Sequence, residues 1–328
     1  MTDRFNPDGL ILSDQYPKTM AEVVLPSLAE RRKDCTLKGV DGRKIAVDRY
    51  DRIDAKGTVV IVHGFTEGAV KFSELVYSLQ QNGYAVLIYD QRGHGRSWRD
   101  ERIQDPSLIH VERFGEYVED LKIICDQVLS TMPKPWYLFA HSMGGAVSSL
   151  FMEEYPEVFA KAVLCAPMIA ANRGGMSKGV VKALCRAMKA AGRGRTRIFI
   201  SKPWAGSEVF EQSCASGKER FDWYDALRVS QPLYQTNGPT YSWTLEAMNV
   251  TDQILAPGLP ERVKIPVLLF TAEDDNQVLP EEQQMLIERL PAGRRKVVPG
   301  SKHEIYRSPD QVLFPWWREI LDFYAGKA

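Results

Sequence analysis

In "LFAHSMGGAVSSLF", residues 138–151, a serine sits at the boundary between two apolar runs. The positions two before and two after Ser142 are small, Ala140 and Gly144. That pattern fits a nucleophile elbow, a strand that turns sharply into a helix and lifts a serine hydroxyl above a sheet. Such turns usually carry Gly at both flanking positions, so Ala140 departs from the pattern by one methyl group. The alternative is an ordinary Ser/Gly turn. Context favours the elbow: the first run is continuous like a buried strand, and the second recurs at helical spacing. The following helix would also aim free N–H groups at the site, where they favour developing negative charge.

A serine needs a base, and the base needs an acid to orient it. On a strand-elbow-helix architecture the chain order is nucleophile, acid, histidine. Of His63, His94, His110, His141 and His303, only His303 follows Ser142. It lies in "PGSKHEIYRSPD", a loop after the last strand-like run, at the end of a sheet where ligands bind. The turn before it, in "VLLFTAEDDNQVLP", offers Glu273, Asp274 and Asp275. Asp275 sits deepest in the turn and is the preferred acid, with Asp274 in reserve. Two N–H donors for an oxyanion are expected from Met143, the residue after the serine, and from Phe65 in "VHGFTEG". His63 reads as a structural loop histidine. "DQRGHGRS" lacks the spacing of a phosphate loop and reads as a tight turn beside the site. No H-E-x-x-H or paired-ligand spacing is present, so neither a metal nor a cofactor is expected.

These residues need a scaffold. "TVVIVHG", "YAVLIYD", "WYLFAHS" and "AKAVLCAP" read as strands buried on both faces. Helical patterns separate them: "KFSELVYSLQQNG", "FGEYVEDLKIICDQVLSTM" and "GGAVSSLFMEEYP". A hairpin, "CTLKGV" and "KIAVDRY" turned at Asp41-Gly42, precedes them, and residues 19–32 read as an amphipathic helix interrupted near Pro26. The alternation predicts an α/β fold with a mostly parallel sheet flanked by helices. It stops after residue 167 and resumes with "IPVLLFTAEDD". The expected organisation is a core over 1–167, a helical cap over 168–258, and the rest of the core over 259–328.

Composition narrows the class. The chain has 328 residues, 44% hydrophobic and 26% charged, which suits a globular protein with a sizeable core. Lys+Arg and Asp+Glu are both 42, so the balance gives no reason to expect nucleic acid. Five scattered cysteines with no C-x-x-C predict reduced thiols. "MTDRFNPDGLILSD" does not read as a signal peptide, and no apolar run reaches bilayer length. A cytoplasmic enzyme is expected, peripheral at most at the inner face of the membrane.

"VHGFTEG", "YDQRGHGRS", "LFAHSMGGA" and "GSKHEIY", in this order at strand ends, resemble the α/β-hydrolase superfamily. More narrowly they resemble the branch of bacterial lysophospholipase L2 and monoacylglycerol lipases, as do "CAPMI" and "GPTYSWTLEAM". The resemblance implies an α/β-hydrolase fold with a lid. It puts Ser142, Asp275 and His303 on the family's triad, and Phe65 and Met143 on its oxyanion donors. It also implies hydrolysis of a single-acyl lipid ester, foremost a lysophospholipid, with monoacylglycerol lipase or general carboxylesterase activity as alternatives. A proline-iminopeptidase-like peptidase and a catalytically silent binding protein on the same fold are the remaining readings. Neither substrate head group, acyl length nor oligomeric state follows from these motifs.

The cap carries one further pattern. "NRGGMSKGVVKALCRAMKAAGRGRTR" holds eight basic residues, from Arg173 to Arg197, and no acid. Val180, Leu184, Ala187, Met188 and Ala191 recur at steps of three and four, with Lys178, Lys182, Arg186 and Lys189 on another face. A basic amphipathic helix suits an anionic membrane surface or a phosphate-bearing substrate. A lid helix with its charges in water fits the same pattern. The cap aromatics Trp204, Phe210, Phe221, Trp223, Tyr224, Tyr234, Tyr241 and Trp243 are numerous enough to line an acyl pocket or to form the core between cap and sheet.

Overall fold

Runs such as Thr58–Val62 and Ala85–Tyr89 are buried at every residue, which demands cover on both faces. In the computed structural model, which describes residues 2–327, they are inner strands of an eight-stranded sheet. The sheet opens with an antiparallel hairpin, β1 (Arg32–Lys38) and β2 (Lys44–Tyr50), turned where Asp41 takes φ 57°. β3 (Thr58–Val62) and β4 (Ala85–Tyr89) follow, then the two-residue β5 (Leu108–Ile109). β6 (Trp136–His141) and β7 (Lys161–Cys165) continue the main sheet, and β8 (Gly238–Pro239) pairs in parallel with β5 outside it. β9 (Val267–Asp274) and β10 (Gly293–Lys302) complete it. The order is β1-β2-β4-β3-β6-β7-β9-β10, and all pairings from β4 to β10 are parallel.

The helices are α1 (Tyr16–Thr19), α2 (Leu25–Arg31), α3 (Ser73–Gln81), α4 (Gly115–Gln127), α5 (Met143–Glu154), α6 (Lys178–Ala190), α7 (Lys218–Ser230), α8 (Tyr241–Ile254), α9 (Pro280–Ile287) and α10 (Asp310–Ala325). One core cluster joins the sheet to α4, α5, α8 and α9, and the other joins it to the N-terminal segment, α3 and α10. The N-terminal helix differs from its expectation. It is not broken at Pro26: a π turn at Met20–Val24 joins α1 to α2, with the Leu25 N–H reaching back to the Met20 carbonyl. Pro26 then falls in the first turn of α2, where its missing N–H is no loss.

Between β7 and β9 the chain leaves the sheet and forms α6, α7 and α8 above the strand ends. The buried stripe of α6 is Val181 and Cys185, with Leu184 and Met188 half-buried against α8. The predicted apolar face was one position out of phase: Val180 is 60% exposed, and Ala187 and Ala191 are exposed. Docking on α8, rather than the period within α6 alone, selects the buried stripe. Ser177 caps the helix by accepting the Val180 N–H.

The basic run is not bare. Lys178 and Lys182 pair with Asp252, and Lys189 pairs with Glu112. Arg195 pairs with Asp100 and Glu112, and Arg197 with Asp105. The acids missing from this stretch of sequence come from α8 and from the loop 100–112.

α7 is fixed differently. Arg220 is buried, and its guanidinium donates to Glu74 of α3, to Asp310 at the start of α10, to Ser13 and to the Ile11 carbonyl. A buried arginine requires such partners, since an unpaired charge is expensive in a low dielectric.

Candidate active site

β6 ends at His141, and Ser142 turns the chain with φ 51° and ψ −119° into α5. The turn needs glycine at position 144, because a Cβ there would lie 2.2 Å from the Val62 carbonyl oxygen. Main-chain bonds hold the turn: the Ser142 carbonyl accepts from Gly145 and Met168, and its N–H donates to Cys165. The Ser142 side chain lies at the carboxyl ends of the parallel strands.

His303, in the loop after β10, reaches Ser142 from the other side. Its Nε2 lies 2.8 Å from Ser142 Oγ, and its Nδ1 lies 2.8 Å from Asp275 Oδ2. Asp275 is fixed in turn at Oδ1, which accepts the N–H groups of Gln277 and Val278. Burial pushes the Asp275 carboxyl up, but the hydrogen bonds from His303 and from these two backbone N–H groups outweigh it and hold its pKa below the usual value. Asp274 belongs to the exposed end of β9 and takes no part in this chain of bonds.

The loop after β3 closes over the serine. A Cβ on Gly64 would lie 3.0 Å from Ser142 Cβ, so the approach requires glycine. The N–H groups of Phe65 and Met143 have no partner among the described residues, and both belong to segments that flank Ser142. His94 Nε2 accepts from Thr66 N–H at 3.3 Å, and His63 accepts from Gln91 N–H while its ring meets the Gly64 carbonyl. His63 and the "DQRGHGRS" turn are thus structural supports of this loop. Arg92 of that turn is buried between Asp120 and Glu116 of α4.

Sequence reasoning missed the charge network beneath the serine. Glu67 accepts from Gly64 N–H, His141, Lys71 and Tyr306. Lys71 also binds Glu304, which pairs with Arg307. Burial would raise the Glu67 carboxyl, yet Lys71 and His141 hold it well below the usual value. Glu67 stands inside the "VHGFTEG" motif, three residues after the glycine whose N–H it holds, and that spacing was the available signal.

Two cavities adjoin beside the serine, and Ser142 lines the larger of them. One, of about 350 Å³, is bounded by Phe65, Met168, Ile198, Trp243, Met248 and Val278, with Ser142 and His303 at its floor. The other, of about 80 Å³, shares Thr66, Cys214 and Glu304 with the first and continues to Lys71, Arg228 and Arg307. Of these cap aromatics, Trp243 lines the larger cavity and packs 4.1 Å from the Phe65 ring. Phe221 and Tyr224 line the smaller one, Tyr241 joins the core of the cap, and Trp223 packs on Tyr16.

A serine on a strand-to-helix elbow, hydrogen-bonded to a histidine that is bonded to an aspartate, on a mainly parallel sheet, defines a serine hydrolase of the α/β-hydrolase fold. Residues 53–310 match the family described as Serine aminopeptidase, S33, and the chain belongs to that family. Among its relatives, Lysophospholipase L2 of Escherichia coli is 31% identical over 305 residues, covering 90% of this chain and 88% of its own. A monoacylglycerol lipase of Mycolicibacterium smegmatis is 24% identical, covering 87% and 95%. A soluble variant of monoglyceride lipase from Saccharomyces cerevisiae, solved with a substrate analog, superposes with a TM-score of 0.68 at 18% identity. That alignment covers 90% of this chain and 97% of the yeast chain, and shows the shared fold. No helix among the described residues is long and apolar enough to cross a membrane.

Proposed function

We propose that the protein hydrolyses the carboxylic ester of a single-acyl lipid, foremost a lysophospholipid, through an acyl-enzyme on Ser142. His303 takes the serine proton at Nε2 as Oγ attacks the ester carbonyl. Asp275 holds the imidazole in the required tautomer and stabilises the imidazolium. The N–H groups of Phe65 and Met143 receive the oxyanion. Collapse of the tetrahedral intermediate expels the alcohol, to which His303 returns the proton. Water, deprotonated by the same imidazole, then releases the fatty acid.

The observation that carries this reading is the continuous Ser142–His303–Asp275 relay at the floor of a largely apolar cavity. Its volume lies within the roughly 300–1,000 Å³ of small-molecule sites. The names of the relatives support lipid esters as substrates. An aminopeptidase needs an uncompensated acid near the serine to hold a free amine. Here Glu67 and Glu304, the acids that line the cavity holding Ser142, are paired with Lys71, and Glu304 also with Arg307. A silent binding protein would not need the relay intact.

Hydrolysis rates for lysophosphatidylcholine, lysophosphatidylethanolamine, monoacylglycerols, short p-nitrophenyl esters and prolyl-p-nitroanilide test the assignment. Lipid esters should be cleaved fastest, and a faster anilide would replace the ester reading with the peptidase one. Fluorophosphonate labelling should be lost in Ser142→Ala, and an unlabelled wild-type protein would favour the silent reading.

We further propose that residues 168–258 act as the cap and contact an anionic membrane surface from the cytoplasmic side. Exposed Val180, Phe199 and Ile200 support this, together with Arg186 and Arg193, which form no ion pair among the described residues. Arg186→Glu with Arg193→Glu should weaken binding to anionic vesicles. Unchanged binding would remove the proposal.

A further inference from the structure

Four non-glycine residues among the described ones take a positive φ: Asp41 in the hairpin turn, Ser142 at the elbow, Ala166 after β7, and Thr66, at 60°, in the loop after β3. Thr66 alone of the four is β-branched, and a branched side chain crowds its own backbone in that region. Such a conformation costs free energy and persists only where the surroundings enforce it. Something outside the loop must therefore hold it at Thr66.

The holder is His94. Thr66 N–H donates to His94 Nε2 at 3.3 Å, and Thr66 Oγ1 donates to the Phe65 carbonyl at 2.7 Å. For Nε2 to accept, the ring must be neutral and carry its proton on Nδ1. Nδ1 lies 3.0 Å from the Arg92 carbonyl, which can only accept, so the proton sits there. The ring is fully buried, and burial, with His63 beside it, keeps its pKa well below the usual histidine value. Gly93 and Gly95, at φ 83° and 47°, turn the chain so that the ring reaches the loop. A Cβ on Gly95 would lie 2.4 Å from the Asp90 carboxylate carbon, so this turn admits no side chain there.

The consequence falls on Phe65. Glu67 takes the Gly64 N–H and His94 takes the Thr66 N–H, and the Phe65 N–H between them has no partner among the described residues. The Phe65 ring is wedged as well, its centroid 4.1 Å from that of Trp243 and 6.1 Å from that of His94, which it meets edge-on. An oxyanion donor works by being aimed before the charge develops, and a loop free to turn would have to reorganise first.

Resting on the ester-hydrolase reading above, in which the Phe65 N–H receives the oxyanion, we infer that Thr66 and His94 form a latch that aims this N–H at the reacting carbonyl. Both are positioning residues that act through Phe65.

The test pairs the hydrolysis of a short p-nitrophenyl ester with the binding of two ketones of the same alkyl chain. One is a trifluoromethyl ketone. Ser142 Oγ adds to its carbonyl carbon, the carbonyl π pair moves to the oxygen and the serine proton passes to His303, so the adduct carries the oxyanion with no leaving group. The other is the matching methyl ketone, which occupies the site without that charge. His94→Phe keeps a ring but loses the acceptor, and should lower kcat by about 10²-fold, the effect of losing one oxyanion donor, with KM nearly unchanged. Affinity for the trifluoromethyl ketone should fall by a similar factor, and affinity for the methyl ketone should hold. His94→Gln, whose Oε1 reaches the place of Nε2, should recover most of the loss. Thr66→Gly should lower kcat by about tenfold, with the same split between the ketones. Its urea midpoint should be unchanged or higher, because glycine takes this φ without strain. Should His94→Phe fail to fold, Thr66→Gly decides by the same two ketones. Full kcat in Thr66→Gly, or equal weakening of both ketones, would overturn the latch and leave the ester reading standing. A wild-type protein that cleaves no ester would overturn the ester reading itself.

Discussion

The cavity beyond Trp243 and the cavity beside Arg228 share a wall at Thr66 and Cys214, yet they are held open by different means. The first is bounded over most of its surface by apolar side chains, and its shape follows from how α8 and the loop after β3 pack. The second is lined by charges whose positions are set by one another: Lys71 by Glu67 and Glu304, Arg307 by Glu304, Arg228 by Glu208. Packing contacts are individually weak and tolerate exchange of similar volumes. A buried ion pair is specific in direction and fails when one member is removed. The apolar side should therefore accept variation in acyl chain, and the polar side should not accept variation in what it faces.

The largest effect is expected at the proposed Ser142–His303–Asp275 relay, of which Ser142 and His303 line the larger cavity. Ser142→Ala and His303→Ala should each lower kcat/KM by about 10⁴-fold or more on every substrate, since members of the relay act as a unit. Circular dichroism should remain that of the wild type. A variant that keeps near-full activity on any ester would remove that residue from the proposed relay. Next, Asp275→Asn should lose about 10³- to 10⁴-fold, because it favours the wrong imidazole tautomer. Asp274→Asn should stay within a few-fold, and the opposite ranking moves the acid to Asp274.

The contrast itself is sharpened by a pair of stability measurements. Glu67→Gln leaves Lys71 with Glu304 alone and should cost about 3 kcal/mol in urea unfolding. Met248→Leu, in the apolar wall, should cost less than about 1.5 kcal/mol. Similar values for the two would mean that the charged wall is no more specific than the packed one.

A pH-dependent effect is expected at a carboxyl outside both cavities. Glu153 in α5 is buried, neither of its oxygens has a hydrogen-bond partner among the described residues, and burial raises its pKa to about 8. The folded state then holds a proton that the unfolded state releases above about 4.5, so stability falls as pH rises from about 4.5 to about 8. Glu153→Gln should raise stability by about 1–2 kcal/mol at pH 8 and change it little at pH 4.5. Equal effects at both pH values would show that Glu153 does not titrate in this window.

What the sequence made legible follows the same division. Ser142 is marked by its small neighbours and its strand-to-helix context, and His303 by being the one histidine after it. Asp275 is marked by its place at the end of a strand. These signals are local, or depend only on chain order. The charged wall was invisible because its partners are remote: Lys71 and Glu304 are 233 residues apart and meet only after the sheet has formed. The ion-pair partners of the basic run at residues 173–197 were out of sight for the same reason. Its acids, Glu112 and Asp252 among them, lie elsewhere in the chain, so a stretch that reads as a charged surface is largely neutralised in place. The phase of α6 was misread because α8, rather than the periodicity of α6 itself, selects the buried face.

The elbow at Ser142 is held almost wholly by main chain: carbonyl and N–H bonds to Cys165, Gly145 and Met168, and a glycine pressed on the Val62 carbonyl. The position of the hydroxyl is therefore fixed by strand spacing, a quantity common to any parallel sheet, and hardly at all by which side chains fill the core. Core residues are free to drift or be redesigned without moving the reacting oxygen. On the proposed reading, a cap replaced wholesale would meet the same nucleophile at the same height above the sheet, so that new specificity would come from exchanging the roof and leaving the foundation untouched.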